Sequence, residues 1–298
     1  MQALGIHTYA GGMQIGVSRV FDTVGSAESW KDCYGIRKHM KLPTLSISEP
    51  QNVDLVFANP PCSRFSMASM IRFDETDRNE LDQFDCLKEV LGFAIASNAR
   101  TLWWESGPLA FNRGDGIIKQ IHEQFEARTT WILRIDPRDV GIPQKRPRAH
   151  VIHFRDDVGA PPIIETKIMP HVRDWLAERC SKDGTPAGPS DKEMREWGCN
   201  SPEMFCEVYD SLVNFNSFKP RIIVNRYAHP VLSRAQALDG KWLTIEEQAA
   251  LMGYPACVDT FDEHWKEILR LLSKSVSSNI SELIAGYVHR AMAVTDGA

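Results

Sequence analysis

Val53-Asp54-Leu55-Val56-Phe57 runs directly into Ala58-Asn59-Pro60-Pro61-Cys62-Ser63-Arg64-Phe65-Ser66, and this junction decides the fold. The first part is a short apolar run, the pattern of a strand buried on both faces of a parallel sheet. Pro60 and Pro61 end it, because each fixes its own φ and neither can donate to a ladder. In an open α/β sheet, ligands bind outside the carboxyl ends of the strands. Cys62 is therefore expected at a stiff strand end facing a crevice. A lone cysteine is otherwise a small buried core residue, so the remainder of the chain has to decide between a structural and a chemical thiol.

The chain has 298 residues, 43% of them hydrophobic, enough for one large domain or a large and a small one. Its net charge of −5 gives no global basic signature, so a nucleic-acid partner would have to be held by a local cleft of Lys and Arg. The seven cysteines (33, 62, 86, 180, 199, 206 and 257) are odd in number and contain no C-x-x-C, which fits free thiols in a reducing cytosol. Cys180, Cys199 and Cys206 with His171 lack the paired spacing of a zinc ribbon, and no metal is expected. The sequence shows no signal peptide and no apolar run of transmembrane length.

Upstream of the junction, Ala3–Thr8 reads as a first strand, followed by Tyr9-Ala10-Gly11-Gly12 and an apolar pattern at Met13, Val17 and Val20 that suits a helix. Strand, glycine turn and helix open a nucleotide-type α/β fold, the glycines allowing backbone to approach a ligand at the helix start. Phe21–Ala27 reads as a second strand ending at Glu28-Ser29-Trp30. An acid at that point can bind a ribose diol, and a tryptophan two residues on can stack on a purine. The blander reading is a helix-capping acid and a half-buried ring. Residues 31–50 carry no clear pattern.

Downstream, Ser63–Asp77 is a polar loop long enough to act as a lid. Arg78–Ser97 reads as a helix with Leu81, Phe84, Leu87, Val90, Leu91 and Ile95 on one face. Thr101–Trp104 is a strand delivering Glu105-Ser106-Gly107-Pro108, a second polar strand end closed by chain breakers. A helix over Ile117–Phe125 and strands over Trp131–Ile135 and Arg146–Phe154 follow. In that last strand Arg146 and Arg148 alternate onto one face, which is otherwise a solvated edge. Asp156–Ile164 is a Pro/Gly-bearing joint, after which short helices around Val172–Leu176, Met194–Trp197 and Met204–Leu212 read as a small second domain. Phe218–Val231 adds the basic residues Lys219, Arg221, Arg226 and His229. Thr244 and Glu247 form a capping box at the start of a helix ending at Gly253, and a final helix begins near Ser278 with Ile280, Leu283, Ile284 and Val288 on one face.

In this order and spacing the features resemble the DNA cytosine-5 methyltransferase family. Pro60-Pro61-Cys62 with Phe65-Ser66 is similar to its P-P-C-Q-x-F-S nucleophile motif, Glu105 with Pro108 to E-N-V-P, and Gly141-Ile142-Pro143-Gln144-Lys145-Arg146-Pro147-Arg148 to G-V-P-Q-x-R-x-R. Leu243-Thr244 through Gly253-Tyr254-Pro255 is similar to L-T-x-R-E-A-A-R-L-Q-G-F-P, and Leu272–Ile284 aligns with the closing motif. The match extends over about residues 3–155 and 241–287. The departures are concentrated at the two ends. The first motif, F-x-G-x-G-G, here reads His7-Thr8-Tyr9-Ala10-Gly11-Gly12, and the closing G-N-A-V-P-P reads Ser273-Lys274-Ser275-Val276-Ser277-Ser278. Ser63 stands for the Gln after the nucleophile, and Ser106-Gly107 for Asn-Val.

The resemblance implies a Rossmann-like methyltransferase sheet with helices on both faces: a catalytic domain over 1–163 and 262–298, and a small target-recognition domain over 164–261. It implies S-adenosylmethionine held by His7, Tyr9, Ala10, Gly11, Gly12, Glu28, Trp30, Asn59, Pro60, Lys274, Ser275 and Val276. It implies catalysis by Cys62, Glu105, Arg146 and Arg148, with Pro61, Ser63, Phe65, Ser66 and Gln144 on the substrate base. Carbon 5 of cytosine is a poor nucleophile until a thiolate adds to carbon 6, and a free cysteine is already a few per cent thiolate near neutrality. Glu105, if protonated, can serve ring nitrogen 3, and the arginines suit the exocyclic oxygen and a phosphate, with Arg146 also able to orient Glu105. The target must be flipped out of double-stranded DNA. A monomeric, cytoplasmic protein of a bacterium or of a phage-infected host is expected, with no membrane association. Three alternatives stay open: a tRNA substrate, a catalytically silent DNA-binding relative, and a modified S-adenosylmethionine whose transferable group carries extra polarity, accepted by Lys274, His7 and Tyr9.

Overall fold

The computed structural model describes residues 1–45, 50–60, 84–108, 115–181, 183–212, 221–224, 226–228 and 235–297. Pro61, Cys62, Ser63, Phe65 and Ser66, the polar loop after them and half of the basic stretch 218–231, Lys219 and His229 included, lie outside the described residues.

Seven strands form one sheet: β1 Gln2–Ile6, β2 Asp22–Ala27, β3 Thr44–Leu45, β4 Leu55–Ala58, β5 Thr101–Ser106, β6 Thr129–Ile135 and β7 Arg148–Phe154, in the order β3-β2-β1-β4-β5-β7-β6. The first five strands in that order are parallel, and β7 is antiparallel to both β5 and β6. The chain winds outward from β1 in one direction, then from β4 in the other. Their carboxyl ends, Ile6 and Ala58, pair directly and mark the switch point where such sheets bind ligands.

Alternation along the central strands sorts their buried apolar side chains between two cores. Ala3, Leu55, Phe57, Trp103, Ile152 and Phe154 face the helix Ser278–Asp296 through Ile280, Ile284, Val288 and Met292. Leu4, Ile6, Val56, Leu102, Trp104 and Val151 face the helices Asp85–Ala96 and Asp115–Gln124 through Leu87, Val90, Leu91, Ile117 and Ile121. Helices thus cover both faces, as the sequence implies, and the near-continuous apolar runs are the mark of that double burial.

The remaining elements refine the sequence reading. Ile95 is 43% exposed, because the buried stripe of its helix runs through Leu87, Val90, Leu91 and Ala94 and has rotated past it. Arg146 precedes β7, which starts at Arg148 and lies between two other strands, so neither arginine sits on a solvated edge. Leu283 is only partly buried. The patternless stretch 31–50 holds a short 3₁₀ turn (Lys31–Cys33) and the helix Tyr34–His39. The small helices Val172–Ala177, Asp191–Glu196 and Pro202–Leu212 and a three-stranded sheet (Arg221–Ile222, Gln236–Leu238, Lys241–Trp242) follow the joint. Thr244 caps the helix Ile245–Leu251 with Glu247 completing the capping box. That helix packs into one cluster with Tyr9, Ile36 and Leu269.

Candidate functional site

A cavity of about 330 Å³ opens at the carboxyl ends of β1, β4 and β5, lined by His7, Tyr9, Trp30, Asn59, Pro60, Glu105, Arg146, Arg148, Ser273, Lys274 and Ser275. Ten of these eleven are expected site residues, nine of them drawn from five separate motifs and their flanks and Trp30 from the end of the second strand; Ser273 belongs to the closing motif. Ala10, Gly11, Gly12, Glu28, Val276 and Gln144 are among the residues expected at the site, yet they do not line the cavity.

The floor of the cavity is closed by a backbone junction between the two ends of the chain. Ser275 Oγ accepts from Gly12 N at 3.0 Å and donates to Thr8 O at 3.2 Å. A Cβ on Gly12 would stand 2.0 Å from Val276 O, so glycine is required there by contact rather than by φ. Asn59 Nδ2 donates to Lys274 O at 3.0 Å, and Arg146 Nη2 donates to both Ser273 O and Ser275 O at 2.8 Å. Three successive closing-motif residues are thus gripped by side chains arriving from two other elements. Arg146 is expected to be able to orient Glu105; its guanidinium holds this segment and also acts electrostatically on Glu105, and Arg148 is ion-paired with the carboxylate.

Glu105 lies near the end of β5, opposite His150 in register, and is 2% exposed. Its Oε1 is ion-paired with Arg148 Nε at 2.9 Å without hydrogen-bond geometry. Burial raises the Glu105 pKa above the ordinary carboxyl range despite the opposing pull of Arg148 and Arg146. Gln144 is fully buried, with neither amide atom hydrogen-bonded among the described residues. The backbone of the next residue pairs with Ala228, so this segment faces the small unit and not the cavity.

The other end of the cavity is aromatic and charged. Tyr9 and Trp30 pack edge to face at 6.3 Å. Tyr9 has φ +53°, the left-handed region that disfavours a side chain by roughly 1–2 kcal/mol. Glycine occupies the matching position of the motif it resembles, so the backbone shape is kept and a phenol is added. That phenol donates to Asp32 Oδ2 at 2.7 Å and accepts from Lys274 Nζ at 2.9 Å. The ammonium lies 4.7 Å over the Tyr9 ring and 5.9 Å from the Trp30 ring, both within cation–π range. Asp32 also accepts from Arg270 at 3.0 Å. Burial works against its ionisation, but the hydrogen bonds from Tyr9 and Arg270 outweigh this and hold its pKa below the ordinary value. His7 Nε2 contacts Glu89 Oε2 at 2.9 Å. Glu28 follows β2, its carboxylate accepting from Tyr9 N at 2.7 Å and Trp30 N at 3.0 Å.

Asp32, Arg270 and the buried Arg37 escape the sequence reading. Arg37 donates to Thr8 Oγ1, Tyr9 O, Gln14 Oε1, Pro43 O and Thr44 Oγ1, bracing the first-motif turn from beneath. A charged residue inside an unpatterned segment carries no signal of such a role. Among the described residues, no group of three or more His, Cys, Asp or Glu is arranged to hold a metal ion.

No family model and no curated protein matches this chain. Solved structures do. The Entamoeba histolytica methyltransferase EhMeth superposes with a TM-score of 0.67 at 13% identity, over 98% of each chain. A protein described as a candidate DNA modification methyltransferase, encoded within an E. coli prophage, gives 0.65 at 14%, over 98% of this chain and 99% of its own. The S. pombe Dnmt2 methyltransferase gives 0.62 at 13%, over 97% and 98%. The chain has the fold of these methyltransferases from end to end.

Proposed function

We propose that this protein is a DNA cytosine-5 transferase that alkylates carbon 5 from S-adenosylmethionine or an S-adenosylmethionine-type donor. The observation that carries the reading is the convergence of five sequence motifs on one cavity at the sheet's switch point. The cavity wall fits the donor's chemistry: Trp30 offers an aromatic ring for a purine and Ser275 a polar contact for the amino-acid end, while Glu28, just past β2 and outside the lining, holds the backbone of Tyr9 and Trp30 in place. When bound, the donor supplies an electrophilic carbon on a sulfonium.

The chain's own residues supply the rest. Cys62, two residues beyond the described Pro60, adds as thiolate to carbon 6 of the base and makes carbon 5 nucleophilic. Glu105, its pKa raised by burial, holds a proton toward ring nitrogen 3. Arg148 orients that carboxyl and is suited to the base's exocyclic oxygen or a neighbouring phosphate. Arg146 keeps the closing segment against the cavity. Loss of the carbon-5 proton and elimination of the thiol release the product.

The base reaches this cavity only if flipped out of the duplex. The small unit over 164–261 reads the neighbouring sequence, with its last helix packed in one cluster with Tyr9, Ile36 and Leu269. The protein works as a monomer in the cytoplasm of a bacterial or phage-infected cell. No described helix is long and apolar enough to cross a membrane.

A covalent trap tests the reading. The protein is incubated with donor and with duplex DNA or tRNA carrying 5-fluorocytosine, and denaturation-resistant adducts are mapped. An adduct between Cys62 and DNA is expected. An adduct on tRNA alone moves the substrate to RNA, and donor binding with no adduct on either marks a silent relative.

A further inference from the structure

Two departures from the motif pattern, Tyr9 in the first motif and Lys274 in the last, touch each other. They are 265 positions apart in sequence and meet through a 2.9 Å hydrogen bond between ammonium and phenol. Tyr9 holds its ring there from a left-handed backbone that a glycine would adopt freely. The pair is therefore one device, kept despite local strain.

The position of that device is unexpected for a cationic ligand. A methyl-bearing donor carries a sulfonium and an ammonium against one carboxylate, so its net charge is positive. Aromatic faces attract such cations, but here a face of Tyr9 is already taken by Lys274, whose ammonium also lies 5.9 Å from the Trp30 ring. The charged side chains lining the cavity are Lys274, Arg146 and Arg148 against Glu105 alone. Asp32 stands behind Tyr9, but it already accepts from the phenol and from Arg270, and its distance of 3.7 Å from Lys274 Nζ is beyond hydrogen-bonding reach. The Lys274 ammonium makes one hydrogen bond among the described residues, leaving two N–H groups for a ligand. Its own carbonyl is fixed by Asn59, which ties it to the strand end that leads into Pro60.

Resting on the donor reading above, we infer that the cavity selects an adenosyl sulfonium whose transferable group ends in a carboxylate, such as carboxymethyl, and that Lys274 is the residue that recognises it. The second carboxylate makes the donor electrically neutral and gives the ammonium a charge-assisted partner. Transfer keeps the balance of methyl transfer. The S–CH2 bond breaks with both electrons left on sulfur as a thioether, and the CH2 carbon bonds to carbon 5. The carbon-5 proton leaves to base, and the Cys62 thiolate is expelled.

The test is donor binding by calorimetry in the absence of nucleic acid, using S-adenosylmethionine, S-adenosylhomocysteine and the S-carboxymethyl donor on the wild-type protein and Lys274→Asn. The wild type is expected to bind the carboxymethyl donor about 10–100-fold more tightly than S-adenosylmethionine, the range of one hydrogen bond to a charged group. Lys274→Asn is expected to erase that margin while S-adenosylhomocysteine binds it unchanged, which also shows that the variant is folded. Equal or tighter binding of S-adenosylmethionine by the wild type overturns the inference and leaves the proposed function intact. So does an equal loss for all three ligands in Lys274→Asn, since Lys274 would then hold the amino-acid carboxylate they share. Failure of the wild type to bind any of the three overturns the donor site itself. With duplex DNA added, mass spectrometry of the product nucleosides reads the group transferred; carboxymethylcytosine is the expected product and methylcytosine from a mixed donor pool the contrary one.

Discussion

The two ends of the cavity handle charge in opposite ways. At the base end, Glu105 is withdrawn from solvent, paired by distance with one guanidinium and raised in pKa by its burial. At the donor end, Asp32, Arg270 and Lys274 keep about a third or more of their side chains exposed, and Asp32 is stabilised as an anion. Burial at the first end shifts protons, while partial exposure at the second keeps permanent charges for recognition. A group that must exchange a proton benefits from a dry site; a group that must read a ligand's charge does not have to leave water completely.

The sharpest way to break this contrast is at the thiol. Cys62→Ala is expected to abolish transfer while leaving DNA binding largely intact, as gel-shift and transfer assays on one preparation would report; near wild-type turnover would remove the nucleophile assignment. Glu105→Gln is expected to lower turnover by about 10²–10⁴-fold, the range of a positioned acid. Because its pKa is raised, Glu105 should contribute an alkaline limb, turnover falling as pH rises through that raised value, and that limb should vanish in the variant. A pH–rate profile with the same limb in both proteins would dismiss the role.

Behind Glu105 two buried histidines extend the contrast. Trp103 donates to His150 and Trp104 to His153, and burial lowers both histidine pKa values from 6.5 to about 3. The folded state keeps them neutral and the unfolded state does not, so their stabilisation is complete above pH 6.5 and is lost as pH falls toward 3. At pH 5 each is expected to cost about 2 kcal/mol, measurable by urea unfolding at pH 7 and pH 5. Beneath the donor end, Arg37→Leu leaves several acceptors without their donor and should destabilise by at least about 1.5–3 kcal/mol. Asp32→Asn, in the half-exposed network, should change stability by less than about 1 kcal/mol and less again in high salt. A larger effect for Asp32 than for Arg37 would reverse the contrast.

What the sequence made legible follows the same division. Strand ends punctuated by prolines, the Thr244–Glu247 capping box and the apolar runs of β4 and β5 are local patterns, and each reappears in the fold. The lining of the cavity was legible because motif residues cluster near strand ends. The partners of those residues were not. That Arg148 is ion-paired with Glu105 depends on where β7 begins, which the sequence does not mark. Ile95 was misassigned because, at about 100° per residue, it lies at the edge of the arc centred by Leu87, Val90, Leu91 and Ala94. Asp32 and Arg270 come together across 238 positions with no periodicity to announce them.

The junction of Ser275 with Gly12 and Thr8 joins segments 263 and 267 positions apart. The glycine turn is an unfinished cradle until residues 273–276 are laid against it. The cavity is therefore a property of the folded chain as a whole, and a fragment lacking those residues keeps its strands and strand-end side chains but not the floor beneath them.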